Sequence, residues 1–131
     1  MPSSLEIVVR STEIDVNNHV NNAKYVEYLE WGREDWYEHV GLPYERLLSL
    51  GAVTVAVNIN LNFRRECKQG DILVITTRPE RLGRTSFTLT QEIHRRDGIL
   101  VADALVTIVT IDPTTRKSRP VPQELAAPFQ S

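Results

Sequence analysis

Val53-Thr54-Val55-Ala56-Val57-Asn58-Ile59-Asn60-Leu61-Asn62-Phe63 is the stretch on which the fold turns. Every odd-numbered residue in it is apolar, and most even-numbered ones are polar. Successive side chains of a β-strand point to opposite faces, so this period of two predicts a long strand with one buried face. Toward the C-terminus the same logic continues. Gly70-Asp71 turns the chain into a strand at 72–78, and Gly83 turns it into another at 85–94. Asp97-Gly98 reads as a hairpin turn of the I′ kind leading to a last strand at 99–111, closed by Asp112-Pro113. These four strands are expected as an antiparallel meander.

Toward the N-terminus the period changes. Residues 23–40 place Val26, Leu29, Trp36 and Val40 near one helical stripe, with Glu27, Glu30, Glu34 and Glu38 on a solvated face. Asn21 or Asn22 is the expected N-cap, and Gly41 followed by Pro43 the stop. Residues 44–50 suit a short second helix, and 5–12 a first strand. An amphipathic helix needs an apolar face to lie on, and a long curved sheet supplies one. The expected class is α+β: a long central helix wrapped by an antiparallel sheet of about five strands.

The chain has 131 residues, 41% hydrophobic and 24% charged, which suits one domain over 1–131 and excludes disorder. No apolar run reaches the length of a membrane helix, and no secretory signal is evident, so a cytoplasmic protein without membrane contact is expected. Cys67 is the only cysteine, and no Cys/His spacing suggests a metal. Net charge is −2, with nine acidic against four basic residues in 1–50 and eight against eleven in 51–131. That balance argues against non-specific nucleic-acid binding.

The chemistry gathers between the first strand and the helix, in Asp15-Val16-Asn17-Asn18-His19-Val20-Asn21-Asn22-Ala23-Lys24-Tyr25. A helix N-terminus presents unpaired amides, so the N–H groups of residues 21–23 are candidates for an oxyanion hole. Asp15 and His19 beside them can act on water or on an acyl carbon. A polar loop that merely caps the helix would have the same composition.

The string Asp-x-Asn-x-His-Val-Asn-Asn-x-Lys-Tyr resembles the active-site signature of plant-type acyl-acyl carrier protein (ACP) thioesterases, and more loosely that of hotdog-fold thioesterases including the 4-hydroxybenzoyl-CoA group. Arg64-Arg65-Glu66-Cys67 resembles a second segment of the plant-type enzymes. Those enzymes carry two hotdog repeats in one chain, whereas 131 residues hold one, as in short bacterial members.

The resemblance implies hydrolysis of acyl-CoA or acyl-ACP thioesters without metal or other cofactor. It implies Asp15 as nucleophile or general base, Asn17 and His19 orienting the carbonyl and water, Glu66 activating water, and the Asn22 amide as oxyanion donor. Cys67 matches a cysteine that a rival mechanism makes the nucleophile, activated by His19. Tyr25 is a candidate for the acyl wall, and Arg84 and Ser86, at the Leu82-Gly83 turn, for holding pantetheine or nucleotide phosphates. The alternatives are a non-catalytic acyl-thioester-binding module and a hotdog enoyl-thioester hydratase. Five strands leave an open sheet edge, so a homodimer or homotetramer is expected.

Overall fold

The computed structural model describes residues 2–130. Strand β1 (Ser3–Val8) is followed by a 3₁₀ turn (Ser11–Glu13), the long helix α1 (Asn22–His39) and the short helix α2 (Tyr44–Ser49). Then come β2 (Val53–Phe63), β3 (Ile72–Leu82), β4 (Ser86–Arg95) and β5 (Leu100–Ile111). Helix α3 (Gln123–Ala126) runs into a final 3₁₀ turn (Ala127–Phe129). The five strands form one antiparallel sheet in the order β1-β3-β4-β5-β2, with α1 lying on its β1–β3 side. This is the hotdog architecture. Among the described residues no helix is long and apolar enough to cross a membrane.

The order corrects the expected meander. Only β3, β4 and β5 form one; β2 crosses to the far edge and pairs with β5, and β1 takes the place beside β3. Alternation specifies which face of a strand is buried and is silent about its neighbour, which is why sequence alone misplaced β2.

The opening stretch also behaves differently from its pattern. Ala56 pairs with Ile108 and Asn58 with Thr107, so Val57 is an extra, bulged residue. On β5 the even positions 102, 104, 106, 108 and 110 are buried. Their partners are Phe63, Leu61 and Ile59 beyond the bulge, but Ala56 and Thr54 before it. The bulge therefore exchanges the two faces of β2 midway, and Val53 and Val55 turn outward. As an edge strand it also stays partly open, with Val55, Val57 and Phe63 exposed.

Helix α1 starts at the Asn21 cap, whose side chain accepts from the Ala23 N–H at 2.9 Å. It stops where Gly41 adopts a φ of +79°. Its buried stripe is Tyr25, Tyr28, Leu29, Gly32, Arg33 and Trp36, while Val26, expected in that stripe, is 41% exposed. Gly32 is where helix and sheet meet most closely: a Cβ there would lie 2.6 Å from Ile75 Cγ2. At the other end Trp36 packs with Phe87 and Phe129. The turn between β4 and β5 is not of the I′ kind. Gly98 alone has positive φ (+92°), and the Arg95 carbonyl accepts from its N–H at 2.8 Å, which makes a three-residue loop.

Candidate active site

The polar hinge folds into a tight loop held by Asp15. The Asp15 N–H donates to the His19 carbonyl (2.9 Å), and Asp15 Oδ1 accepts from the backbone N–H groups of Asn17 (2.9 Å) and His19 (3.4 Å). Asn18 at the loop's tip has a φ of +67°, a left-handed conformation that Asn tolerates better than most residues. A bridge between Ile14 and Val20 closes the base. The loop is moored twice, by Val20 N–H to the Cys67 carbonyl (3.0 Å) and by Asn21 N–H to the Glu13 carbonyl (2.9 Å).

A cleft of about 400 Å³ opens beside this loop, lined by Asp15, Asn17, His19, Asn22, Tyr25 and Glu66 among others. Six of the eight sequence-selected residues thus share one cleft. His19 Nε2 lies 3.0 Å from Glu66 Oε2, joining the hinge to the loop after β2. Both contacts to the Asp15 carboxylate fall on Oδ1, and among the described residues Oδ2 has no hydrogen-bond partner.

The three candidate oxyanion amides separate here. Ala23 N–H is taken by the cap and Asn21 N–H by Glu13, whereas Asn22 N–H has no acceptor among the described residues. It is the free amide at the positive end of an 18-residue helix.

Tyr25 lines the cleft, and Cys67 is buried out of it. Tyr25 is buried, with its ring edge-on to Phe63 at 5.3 Å and its hydroxyl set against the Cys67 thiol. Burial raises both the phenol and the thiol above their ordinary values. A fully buried, protonated thiol is a poor nucleophile, and the partner of His19 is Glu66, so the geometry disfavours a Cys67–His19 pair.

At the rim Arg64 Nε binds Asp103 Oδ2 at 2.8 Å, and that guanidinium holds the Asp103 carboxyl below the usual range. Arg84 and Ser86 do not join the cleft. Ser86 pairs with Val109 and Phe63 with Ala102, so they sit at the opposite end of the sheet, roughly 24 Å along β5.

Sequence reasoning missed Glu13. Its carboxylate is buried, accepting from Tyr28 Oη at 2.9 Å and from Arg10 N–H at 2.8 Å, and it fixes the start of the hinge to α1. A single Glu ahead of a polar segment carries no pattern that would have singled it out.

A family model, the thioesterase-like superfamily, matches residues 9–129. The long-chain acyl-CoA thioesterase FadM of Escherichia coli is 40% identical over 92% of this chain and 91% of its own. The structure of the "YbaW Probable Thioesterase" of Escherichia coli superposes with a TM-score of 0.82 at 35% identity, covering 97% of this chain and 96% of that one. A Staphylococcus aureus protein, SAV2348, solved in complex with CoA, superposes with a TM-score of 0.90 at 20% identity, covering 98% and 82%, and shows likeness of fold. A matched model over almost the whole length and a relative this similar leave one conclusion: the chain belongs to the thioesterase-like superfamily.

Proposed function

We propose that this chain, acting as one domain over residues 1–131, hydrolyses acyl-CoA thioesters to a free carboxylate and coenzyme A at the Asp15 cleft. It is a thioester hydrolase by family. One observation carries the assignment of the site: a carboxylate with a free oxygen, Asp15, shares a cleft with the one unclaimed amide at the start of α1, Asn22. Asp15 takes a proton from water as the water oxygen attacks the thioester carbonyl carbon. The carbonyl electrons move onto oxygen, and the Asn22 N–H and the helix dipole stabilise that charge. Collapse breaks the C–S bond, and the proton held by Asp15 leaves with the thiol. His19, held by Glu66, and Asn17 orient water and carbonyl, and Tyr25 walls the acyl group. No metal or cofactor enters the sequence of steps.

Coenzyme A is the carrier we favour, because FadM is named for acyl-CoA. Thiol release measured over a panel of acyl-CoA and acyl-ACP substrates tests the reading. Rapid release from acyl-CoA is expected; hydration of an enoyl-CoA without thiol release would overturn it, as would binding of acyl-CoA without turnover.

The homodimer is part of this proposal. Strand β2 is an 11-residue edge with exposed apolar side chains, a form that invites pairing. Antiparallel pairing of two β2 edges sets the Val53 end of one copy beside the Phe63 end of the other. That places the partner's Arg84 and Ser86 near the cleft, where they meet the phosphates of coenzyme A. Mixing inactive Asp15→Asn and Arg84→Ala proteins should restore part of the activity; no restoration in a mixed dimer would count against the shared site.

A further inference from the structure

We propose that the cleft between α1 and β2 at the end away from Asp15 is a polar subsite selecting acyl chains that carry a neutral oxygen, a hydroxyl or keto group, in their distal part. The inference rests on the thioester-hydrolase reading above and deepens it to a substrate class.

Helix α1 packs chiefly on β1 and β3 and meets β2 near its two ends, through Tyr25 on Phe63 and Tyr37 on Thr54, with a cleft at each end; the proposed path of the acyl chain follows α1 and β2 from the first cleft to the second. At the first cleft it is bounded by Asn22, Tyr25 and Phe63. Between the two clefts the sequence positions of Val26 on α1 and of Ile59 and Leu61 on the inner face of β2 are apolar, which suits methylenes. At the far end lies a second cleft of about 360 Å³ that includes Arg33, Tyr37, Thr54 and Ala56. From Asn22 to Arg33 the helix rises about 17 Å, the reach of a long acyl chain rather than a short one.

The bulge at Val57 gives this end its chemistry. A regular strand would continue the inner face with Val55 and Val53; the bulge presents Ala56 and Thr54 instead, a small side chain and a hydroxyl. Tyr37 Oη donates to Thr54 Oγ1 at 3.1 Å. Across from Thr54, Thr110 Oγ1 is fully buried and has no hydrogen-bond partner among the described residues.

Arg33 is the unusual element. It is only 8% exposed, yet among the described residues it forms no ion pair. Its one hydrogen bond runs from Nη1 to the neutral Oε1 of Gln91 at 3.1 Å. Gln91 is locked for that purpose, since its Nε2 donates to the Leu29 carbonyl and to Thr77 Oγ1, each at 2.9 Å. A guanidinium has five N–H donors, and burying them without acceptors is costly. The remaining donors border a cleft, where a ligand oxygen can accept from them. Glu30 and Glu34 line the same cleft, so a terminal carboxylate is repelled and a neutral oxygen is preferred.

The test is thiol release from CoA thioesters of one chain length: saturated, bearing a distal hydroxyl or keto group, and ending in a carboxylate. The oxygenated chains should exceed the saturated one at least tenfold in kcat/KM, the contribution of a hydrogen bond to a charged donor. The carboxylate-ended chain should show no such gain. Arg33→Met, and independently Thr54→Val, should bring the ratio of oxygenated to saturated substrate close to one. The ratio does not depend on the fraction of protein folded, so a purely structural role for Arg33 would leave it unmoved. Equal rates on both substrates in the unaltered protein, or a ratio that survives both substitutions, would overturn the subsite. Release from none of the panel would instead overturn the thioesterase reading, and the subsite with it.

Discussion

His19 Nε2 lies 3.0 Å from Glu66 Oε2, so an imidazole from the hinge and a carboxylate from the loop after β2 act as one unit. The backbone underneath repeats the link, since the next residues on each side, Val20 and Cys67, are joined N–H to carbonyl at 3.0 Å. The clamp leaves the Asp15 carboxylate with no salt-bridge partner of its own among the described residues. In the proposed mechanism this divides the labour, with Asp15 transferring protons and the His19–Glu66 pair positioning.

Asp15→Asn and Glu66→Gln should therefore differ in size of effect. Asparagine keeps an Oδ1 for the Asn17 and His19 amides, so the loop should survive while the base is lost. Turnover should fall by roughly 10²–10⁴ for Asp15→Asn. Glu66→Gln can still hydrogen-bond His19 and should lose about tenfold. Steady-state kinetics on one acyl-CoA, with thermal melts of each variant as control, check this. Equal losses would mean that Glu66 shares the proton transfer.

Cys67→Ala should keep turnover within about threefold of the unaltered protein while lowering the melting temperature. The substitution opens a small cavity at a fully buried position, costing about 1–3 kcal/mol. In the native protein the thiol should also resist a thiol-directed reagent until denaturant is added. Loss of turnover in a folded Cys67→Ala protein would restore the cysteine nucleophile.

The outline of the fold was legible because its signals are local. The Asn21 cap, the Gly41 stop and the alternation of β2 each follow from a few neighbouring residues. What escaped was non-local. The bulge at Val57 leaves the apolar-polar rhythm of the sequence intact while reversing its meaning, because register depends on β5. Arg33 carries no pattern that marks it as interior; its burial against the distant Gln91 emerges only in the folded chain. Asp15 and His19 stood out as a carboxylate and an imidazole beside a helix start, and Glu66 was proposed only through the motif resemblance. Arg84 and Ser86 were placed by that resemblance too, yet one copy of the chain holds them far from the cleft.

Alkaline pH should unfold this protein earlier than its core size suggests. Burial raises the Cys67 thiol and the Tyr25 and Tyr28 phenols, and it pushes Tyr37 up to about 12. Each folded pKa lies above the unfolded one, so the stability these groups contribute is fully present below the unfolded value and is lost as pH rises. The window opens near pH 9.0 for the thiol and near 10.0 for the phenols. Denaturant midpoints measured from pH 8 to 11 should fall steadily. A double Tyr25→Phe, Cys67→Ala variant should show a shallower slope, and an unchanged slope would refute the assignment.

Gly32→Ala supplies a test of the helix–sheet contact. By intrinsic propensity alanine should stabilise a helix interior by roughly 1 kcal/mol. Here its Cβ would fall 2.6 Å from Ile75 Cγ2, 3.0 Å from Gln91 Nε2 and 3.2 Å from Thr77 Oγ1. Ile75 is buried in the middle of the sheet, and Gln91 is fixed by its bonds to Leu29 and Thr77, so neither neighbour has room to withdraw. Overpacking of this kind costs about 1–3 kcal/mol, more than the propensity gain returns. Chemical denaturation should therefore show net destabilisation. The loss should be coupled to Gln91: in Gln91→Ala the obstructing amide is gone, and the same Gly32→Ala change should cost less. If the double-mutant cycle shows no coupling, the Gln91 amide is not what limits the approach of α1 to the sheet at Gly32.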